Sequence, residues 1–427
     1  LLVGCCTTAW YGAWAGLMTS FGFVLIPRLL GHAHLASLES CTNLTYAAAT
    51  LAVVGFWDKG NPPSIRTAAL TGIVFGLALL TKIQAVILPL PIVLWSFMRW
   101  RRHCVVPLLV WGGTACTVFF AGWPWLWLDP VEHLSQYLHG ATDRAAISVW
   151  YLNHKYTDRN VPWHYAPNYF CWTVPFKLQL VGMVGTIVKR SEPQSEAELR
   201  WTMLSYRYTP RDFLILLAAA WPLWFFTIPG IPSYDCERLW LPSIPLWLIL
   251  VGRGSAYVLC RFQAWWPLAA RIFVLVFVVL ALIQSAVLSR FVATPLSFYA
   301  ATAGQLPGAA EHGLELNYWG DAVTRSLLED VERQVPHDAT VALAPVLHQF
   351  QAQELQIQSP ILRRHGVRIV PYEESDASIQ YLLIYRRLAD LPSELRGTLD
   401  GWNVLSEVQI DGVQLAALLQ RQRTPAE

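Results

Sequence analysis

Five stretches of this chain run for about the thickness of a bilayer without a charge: the residues before Arg28, Ser40 to Trp57, Cys104 to Leu128, Phe213 to Tyr234 and Ile272 to Ser289. A helix needs about 20 such residues to cross hydrocarbon. One or two runs of this kind fit inside a soluble core, but this many do not. The composition agrees, with 54% hydrophobic and only 14% charged residues, where soluble domains carry about 25% charged. A polytopic α-helical membrane protein is the fold class expected.

The expected spans are about 8–26, 41–57, 67–81, 83–98, 104–123, 171–188, 213–229, 239–252 and 272–289, which makes about nine. Lys82 divides 67–98 in two, because an ammonium inside hydrocarbon costs about 2.5–3.5 kcal/mol. Alternating the spans collects Lys59, Arg66, Arg99, Arg101, Arg102, Lys189, Arg190, Arg200, Arg207, Arg211, Arg253, Arg261 and Arg271 on one side, the cytoplasmic side by the positive-inside rule. The other side receives Arg28 to Ser40, Lys82, a long loop over 124–170 and the turn Pro229 to Arg238. The loop is rich in aromatic residues, Trp125, Trp127, Trp150, Tyr151, Trp163, Tyr165 and Tyr169 among them. Singly, these rings suit an interfacial belt that touches membrane lipid.

Residues 1–289 carry 20 Lys and Arg against 12 Asp and Glu, whereas 290–427 carry 11 against 17 and no lysine. That asymmetry marks a boundary between a membrane domain, 1–289, and a small soluble α/β domain, 290–427. Thr340 to Ala344 and Ile379 to Tyr385 read as strands, and Ala322 to Gln334 as a helix. Basic residues form no continuous stripe, which sets nucleic-acid binding aside. No glycine-rich phosphate loop occurs, so a nucleotide-driven machine is not expected. Eight cysteines stand without CxxC spacing, and most lie in apolar surroundings as small hydrophobes. The chain opens inside an apolar stretch without Met, the expectation for a piece that lacks its beginning.

Polar residues gather on the external side. Pro27-Arg28-Leu-Leu-Gly31-His32-Ala-His34-Leu-Ala-Ser-Leu-Glu39 sets His32 and Glu39 seven apart, on one face of a helix. HxH spacing on a helix splays the two rings, so a metal held by this cluster is not expected. Lys82, and Arg238 within Ser233-Tyr234-Asp235-Cys236-Glu237-Arg238, would each bring a positive charge to the mouth of the bundle. A departing phosphate needs such charge. The plain alternatives are snorkelling for Lys82 and a salt bridge to Asp235 or Glu237 for Arg238. In the long loop, Asp143-Arg144 and Val161-Pro162-Trp163-His164-Tyr165 offer ring faces and an imidazole to a sugar.

With GHAH followed by Glu39, Leu79-Leu-Thr-Lys82, WPWLWLDP from Trp123, the VPWHY run, SYDCERLWLP and Asn317-Tyr-Trp-Gly-Asp321 in one order, the chain resembles the dolichyl-phosphate-mannose protein mannosyltransferase-like family of bacterial membrane glycosyltransferases, family 39 of the GT-C fold. The resemblance implies inverting transfer, mannosyltransferase-like, from a polyprenyl-phosphate sugar to an acceptor outside the plasma membrane, with no cofactor. The acceptor is left open between protein, lipid and polysaccharide. It also implies that the principal catalytic acid lies in an earlier loop, that Glu39 is the second acidic position, and that Lys82 and Arg238 lie near the donor phosphate. His32, His34, Trp163, His164, Tyr165, Tyr234 and Asp235 are candidate substrate contacts. The alternatives are a transporter or carrier-binding membrane protein without catalysis and an inactive relative that binds glycan.

Overall fold

A computed structural model describes residues 1–35, 37–58, 60–142, 145–188, 209–265, 267–373, 378–397 and 399–422. Lys59, Asp143, Arg144, Lys189, Arg190, Arg200 and Arg207, named above, lie outside them. The chain divides into two compact units: Leu1–Ile147 with Arg159–Ser285, and Ser148–Asp158 with Ala286–Glu427. The boundary falls a few residues before the expected one. Part of the long loop belongs to the second unit.

The first unit is a helix bundle. It opens with α1 (Leu2–Tyr11), α2 (Ala13–Leu25) and α3 (Pro27–His34), so the expected span 8–26 is divided. Gly12, with φ 92°, adopts a backbone that L side chains resist, and it lets α1 and α2 fold back on each other. Gly4 then lies against Ser20, and Gly16 against Thr8. Next come α4 (Glu39–Trp57), α5 (Ile65–Thr81), α6 (Pro89–Trp100), α7 (Val105–Gly122), α8 (Trp125–Leu128) and α9 (Pro130–Thr142). After them follow α10 (Tyr165–Thr173), α11 (Phe176–Ile187), α12 (Pro210–Phe225), α13 (Ser243–Trp265) and α14 (Pro267–Ser289). The expected span 171–188 is also two helices, α10 and α11, bent by 112° at Val174 and Pro175.

Close packing of α5 on α7 fixes the threading. A Cβ on Gly72 would meet the Trp111 carbonyl at 2.5 Å, one on Gly76 would meet Ala115 and Val118, and one on Gly122 would meet Leu80. The contacts advance together along both helices, so α5 and α7 run in the same direction. The chain between them therefore reverses twice, at Lys82 and again at Arg101, where φ is 51°. Ile83–Gly122 accordingly cannot be one rod of about 60 Å, twice the depth of hydrocarbon.

By length and composition, three described stretches can cross a membrane, Ile83–Gly122, Ser243–Ala264 and Arg271–Ser289, or five if the bent pairs α2–α3 and α10–α11 each count once. Several expected spans are shorter or bent. Ser243–Ala264 is 78% buried and forms the centre, whereas Arg271–Ser289 is 6% buried and exposes Leu275, Val279 and Leu282. An apolar face of that extent belongs in lipid. The protein is an integral membrane protein.

At one end of the bundle, Asp58 receives Arg99 at 3.1 Å and Arg211 at 3.3 Å. Nearby, Asp212 caps α12, accepts the Tyr11 hydroxyl and pairs with Arg253 at 3.2 Å. Arg253 was expected in a loop. Instead it lies within α13, fully buried, and donates to the carbonyls of Gly185 and Val188 that end α11.

The second unit contains a hairpin of β1 (Ser148–Tyr151) and β2 (His154–Thr157), then α15 (Gln305–Glu311), α16 (Arg325–Gln334), β3 (Thr340–Ala344), α17 (Gln349–Gln358), α18 (Pro360–His365), β4 (Arg368–Pro371), β5 (Tyr381–Tyr385), β6 (Trp402–Ile410) and β7 (Val413–Arg421). The sheet order is β4-β3-β5-β7-β6, with β3 parallel to both β4 and β5 and β7 antiparallel to β5 and β6. Asp411-Gly412 joins β6 to β7 with both φ angles positive, the Asp-Gly turn that matches strand twist. The β1–β2 hairpin is bonded in through Asn153 N–H to the Gly313 carbonyl at 3.0 Å, and Arg396 lies over the Trp150 ring.

Candidate active site

At the bundle end opposite Asp58, three segments distant in sequence meet. Glu39 opens α4, where a carboxylate suits the positive end of the helix dipole, and it precedes the apolar stretch that begins at Cys41. Lys82 ends α5 in extended backbone. Arg238 sits in the turn between α12 and α13. Glu39 Oε1 accepts from Lys82 Nζ at 2.7 Å and from Arg238 Nε at 2.6 Å. The carboxylate is 1% exposed, whereas Lys82 is 17% and Arg238 24% exposed. The anion is thus at the back, and the two cations stand between it and solvent.

Burial works against a charged Glu39, but hydrogen bonds from Lys82 and Arg238 outweigh it and hold the carboxyl well below the usual range. Burial also lowers Lys82, against the pull of Glu39. For Arg238, burial is overcome by Asp235 and Glu39, and its pKa rises. Arg238 Nη1 donates to Asp235 Oδ2 at 2.9 Å, and its Cζ lies 5.8 Å from the centre of the Tyr234 ring.

The turn that carries Arg238 has unusual backbone. Asp235 and Cys236 have φ of 53° and 56°, a left-handed pair that costs of order 1–3 kcal/mol per residue. Side chains behind it hold it. The Cys236 N–H donates to the Tyr165 hydroxyl at 2.9 Å. Glu237 Oε2 accepts from Arg28 Nη1 at 2.8 Å, with both side chains almost wholly buried, and His32 Nε2 stands 3.6 Å from Glu237 Oε1. Glu237 therefore faces Arg28, while Asp235 takes the salt bridge to Arg238.

Of the residues singled out in sequence, Glu39, Lys82, Arg238, Asp235 and Tyr234 come together. Tyr165 and His32 belong to the layer behind, which leaves His32 inaccessible to solvent. His34 is exposed, with Nδ1 2.7 Å from the Leu30 carbonyl of its own helix. Trp163 is 67% exposed and meets His164 edge to face, and His164 Nδ1 lies 3.3 Å from Asn168. Sequence reasoning missed the pairing of Arg28 with Glu237. The available signal was Arg28 itself, the first charge after an uncharged run. Among the described residues, no three His, Cys, Asp or Glu side chains form a metal-binding group.

No family model and no curated protein matches the chain. Among solved structures it is similar to ArnT from Cupriavidus metallidurans bound to undecaprenyl phosphate, at 16% identity over 98% of this chain and 81% of that one, with a TM-score of 0.41. It is similar also to that protein in the apo state, at 14% identity over 98% and 80%, with a TM-score of 0.43. Likeness at this level says nothing about substrate.

Proposed function

We propose that this protein is a glycosyltransferase of the bacterial plasma membrane that uses a polyprenyl-phosphate sugar, with its site on the outward face. The observation that carries the reading is one buried carboxylate holding two cations toward solvent at a single end of a membrane bundle. A lipid-linked sugar monophosphate needs positive charge where its phosphate departs, beside a surface that receives its chain. Lys82 supplies an ammonium with three donors, of which Glu39 takes one, and Arg238 supplies a planar guanidinium.

In an inverting transfer, the acceptor attacks the anomeric carbon, the bond to the phosphate oxygen breaks, and the phosphate leaves with the bonding electrons onto the cations. Glu39 anchors those cations. Its Oε1 is engaged by both of them, and the resemblance gives the acceptor's proton to the principal carboxylate of an earlier loop. Mannosyl specificity and the protein, lipid or polysaccharide nature of the acceptor are the finer parts of the proposal, and they rest on the sequence resemblance.

The test is transfer of radiolabelled sugar from a panel of polyprenyl-phosphate sugars by the full-length protein in membranes. Lys82→Ala and Arg238→Ala, expressed equally, should lose release of polyprenyl phosphate. Retention of the lipid carrier with no turnover from any donor would replace the enzyme by a carrier-binding protein.

A further inference from the structure

Buried charges outside the ionic site call for a reason, and the pair Arg28–Glu237 lies directly behind it. Glu237 and Arg238 are neighbours in sequence, yet their side chains are gripped from opposite sides: Glu237 by Arg28 at 2.8 Å and Arg238 by Glu39 at 2.6 Å. Just before them in the turn run Asp235 and Cys236 in left-handed backbone, a conformation that persists only where surroundings impose it. Arg28 on Glu237 and the Tyr165 hydroxyl on the Cys236 N–H are among the contacts that do so. Left alone, the turn would relax, and Arg238 would lose its aim at Glu39 and its bridge to Asp235.

We infer that Glu237, held by Arg28, is a positioning residue: through the strained turn it fixes the guanidinium of Arg238 beside Lys82, with Tyr165 as the second clamp. The inference rests on the reading of Arg238 as a ligand for the donor phosphate. It gives the buried pair a task in affinity for an anionic lipid and not only in folding. Arg28 and Tyr165 are 137 residues apart in sequence, so the clamp joins α3 and α10 to the same turn.

The experiment measures, for purified full-length protein, how much tighter farnesyl phosphate binds than farnesol, which lacks the phosphate. Arg238→Ala should cut that preference about tenfold, and Glu237→Gln should cut it comparably. In the double variant the loss should be no greater than in Arg238→Ala alone, since Glu237 acts through Arg238. An unchanged preference in Arg238→Ala would remove the donor-phosphate reading and the positioning role with it. A full loss in Arg238→Ala beside an unchanged preference in Glu237→Gln, or additive losses in the double variant, would overturn the positioning role alone. If Glu237→Gln does not fold, Tyr165→Phe, which keeps the ring, decides in the same way, with a smaller loss of about threefold expected.

Discussion

Both ends of the helix bundle gather paired acidic and basic side chains, yet they handle them differently. Around Asp58 and Asp212, Arg253 is sealed at 0% exposure and spends its guanidinium on Asp212 and on the carbonyls that end α11. Around Glu39 the carboxylate is sealed, and the cations are the groups that reach solvent. The first arrangement ties helices together and satisfies buried backbone. The second keeps positive charge available to an incoming anion. Paired charges thus serve a joint or a binding surface, according to whether the cation is sealed with its partner or left reaching solvent.

The largest effect that would break this comparison is expected at the sealed end. Arg253→Met removes the buried cation that faces Asp212 and donates to two carbonyls, and should cost about 3–5 kcal/mol of stability, read as a large fall in thermal unfolding temperature. Glu39→Gln, where the cations can turn to water, should cost about 1–3 kcal/mol while abolishing sugar transfer. A stability loss from Glu39→Gln equal to or larger than that from Arg253→Met would break the contrast between the two ends.

A third carboxyl sharpens the contrast between contact pairing and burial. Glu315, in the second unit, is fully enclosed and accepts the N–H groups of Leu388 and Ala389 at 2.6 and 3.0 Å. Burial pushes its pKa up to about 8, although Arg387 and those N–H groups pull it down. Arg387 is directed to Asp390 and to the Tyr318 carbonyl. A pKa raised on folding stabilises fully below the ordinary value of 4.5 and is lost as pH rises through about 8. Local stability around 386–390 should therefore fall with rising pH, by at most about 1.4 kcal/mol per unit, and hydrogen exchange of those amides should lose that slope in Glu315→Gln. The smallest effect is expected from the exposed pair Arg325–Glu329, where Arg325→Ala should change stability by about 0.5 kcal/mol or less.

Much of the bundle was legible because hydrocarbon imposes a simple rule on charge. The ends of α4, α5, α6 and α7 follow from where Asp58, Lys82, Arg99 and Arg101 stand in otherwise apolar sequence. Glu39, Lys82 and Arg238 could be singled out for the same reason. What stayed hidden depends on partners far away in sequence. Apolar composition does not announce that Gly12 folds α1 back on α2, or that Pro175 bends one expected span. Arg253 read as a loop residue because its satisfaction comes from the end of α11. Arg28 and Glu237, 209 residues apart, read as two loose charges. The β1–β2 hairpin was hidden in an aromatic loop whose alternation is too short to signal strands, and its bonds to Gly313 and Arg396 are visible only in three dimensions.

That hairpin has a consequence for the order in which the chain is made. Thr157 is synthesised well before Ala286, where the remainder of its unit begins, and β7 comes last of all. At about 5–20 residues per second, the hairpin waits many seconds for the segment that contains Gly313 and longer for Arg396. During that interval its strands are an unsupported ribbon, marginal in water. A chaperone that recognises exposed strand edges would find its target there during synthesis, long before the sheet exists.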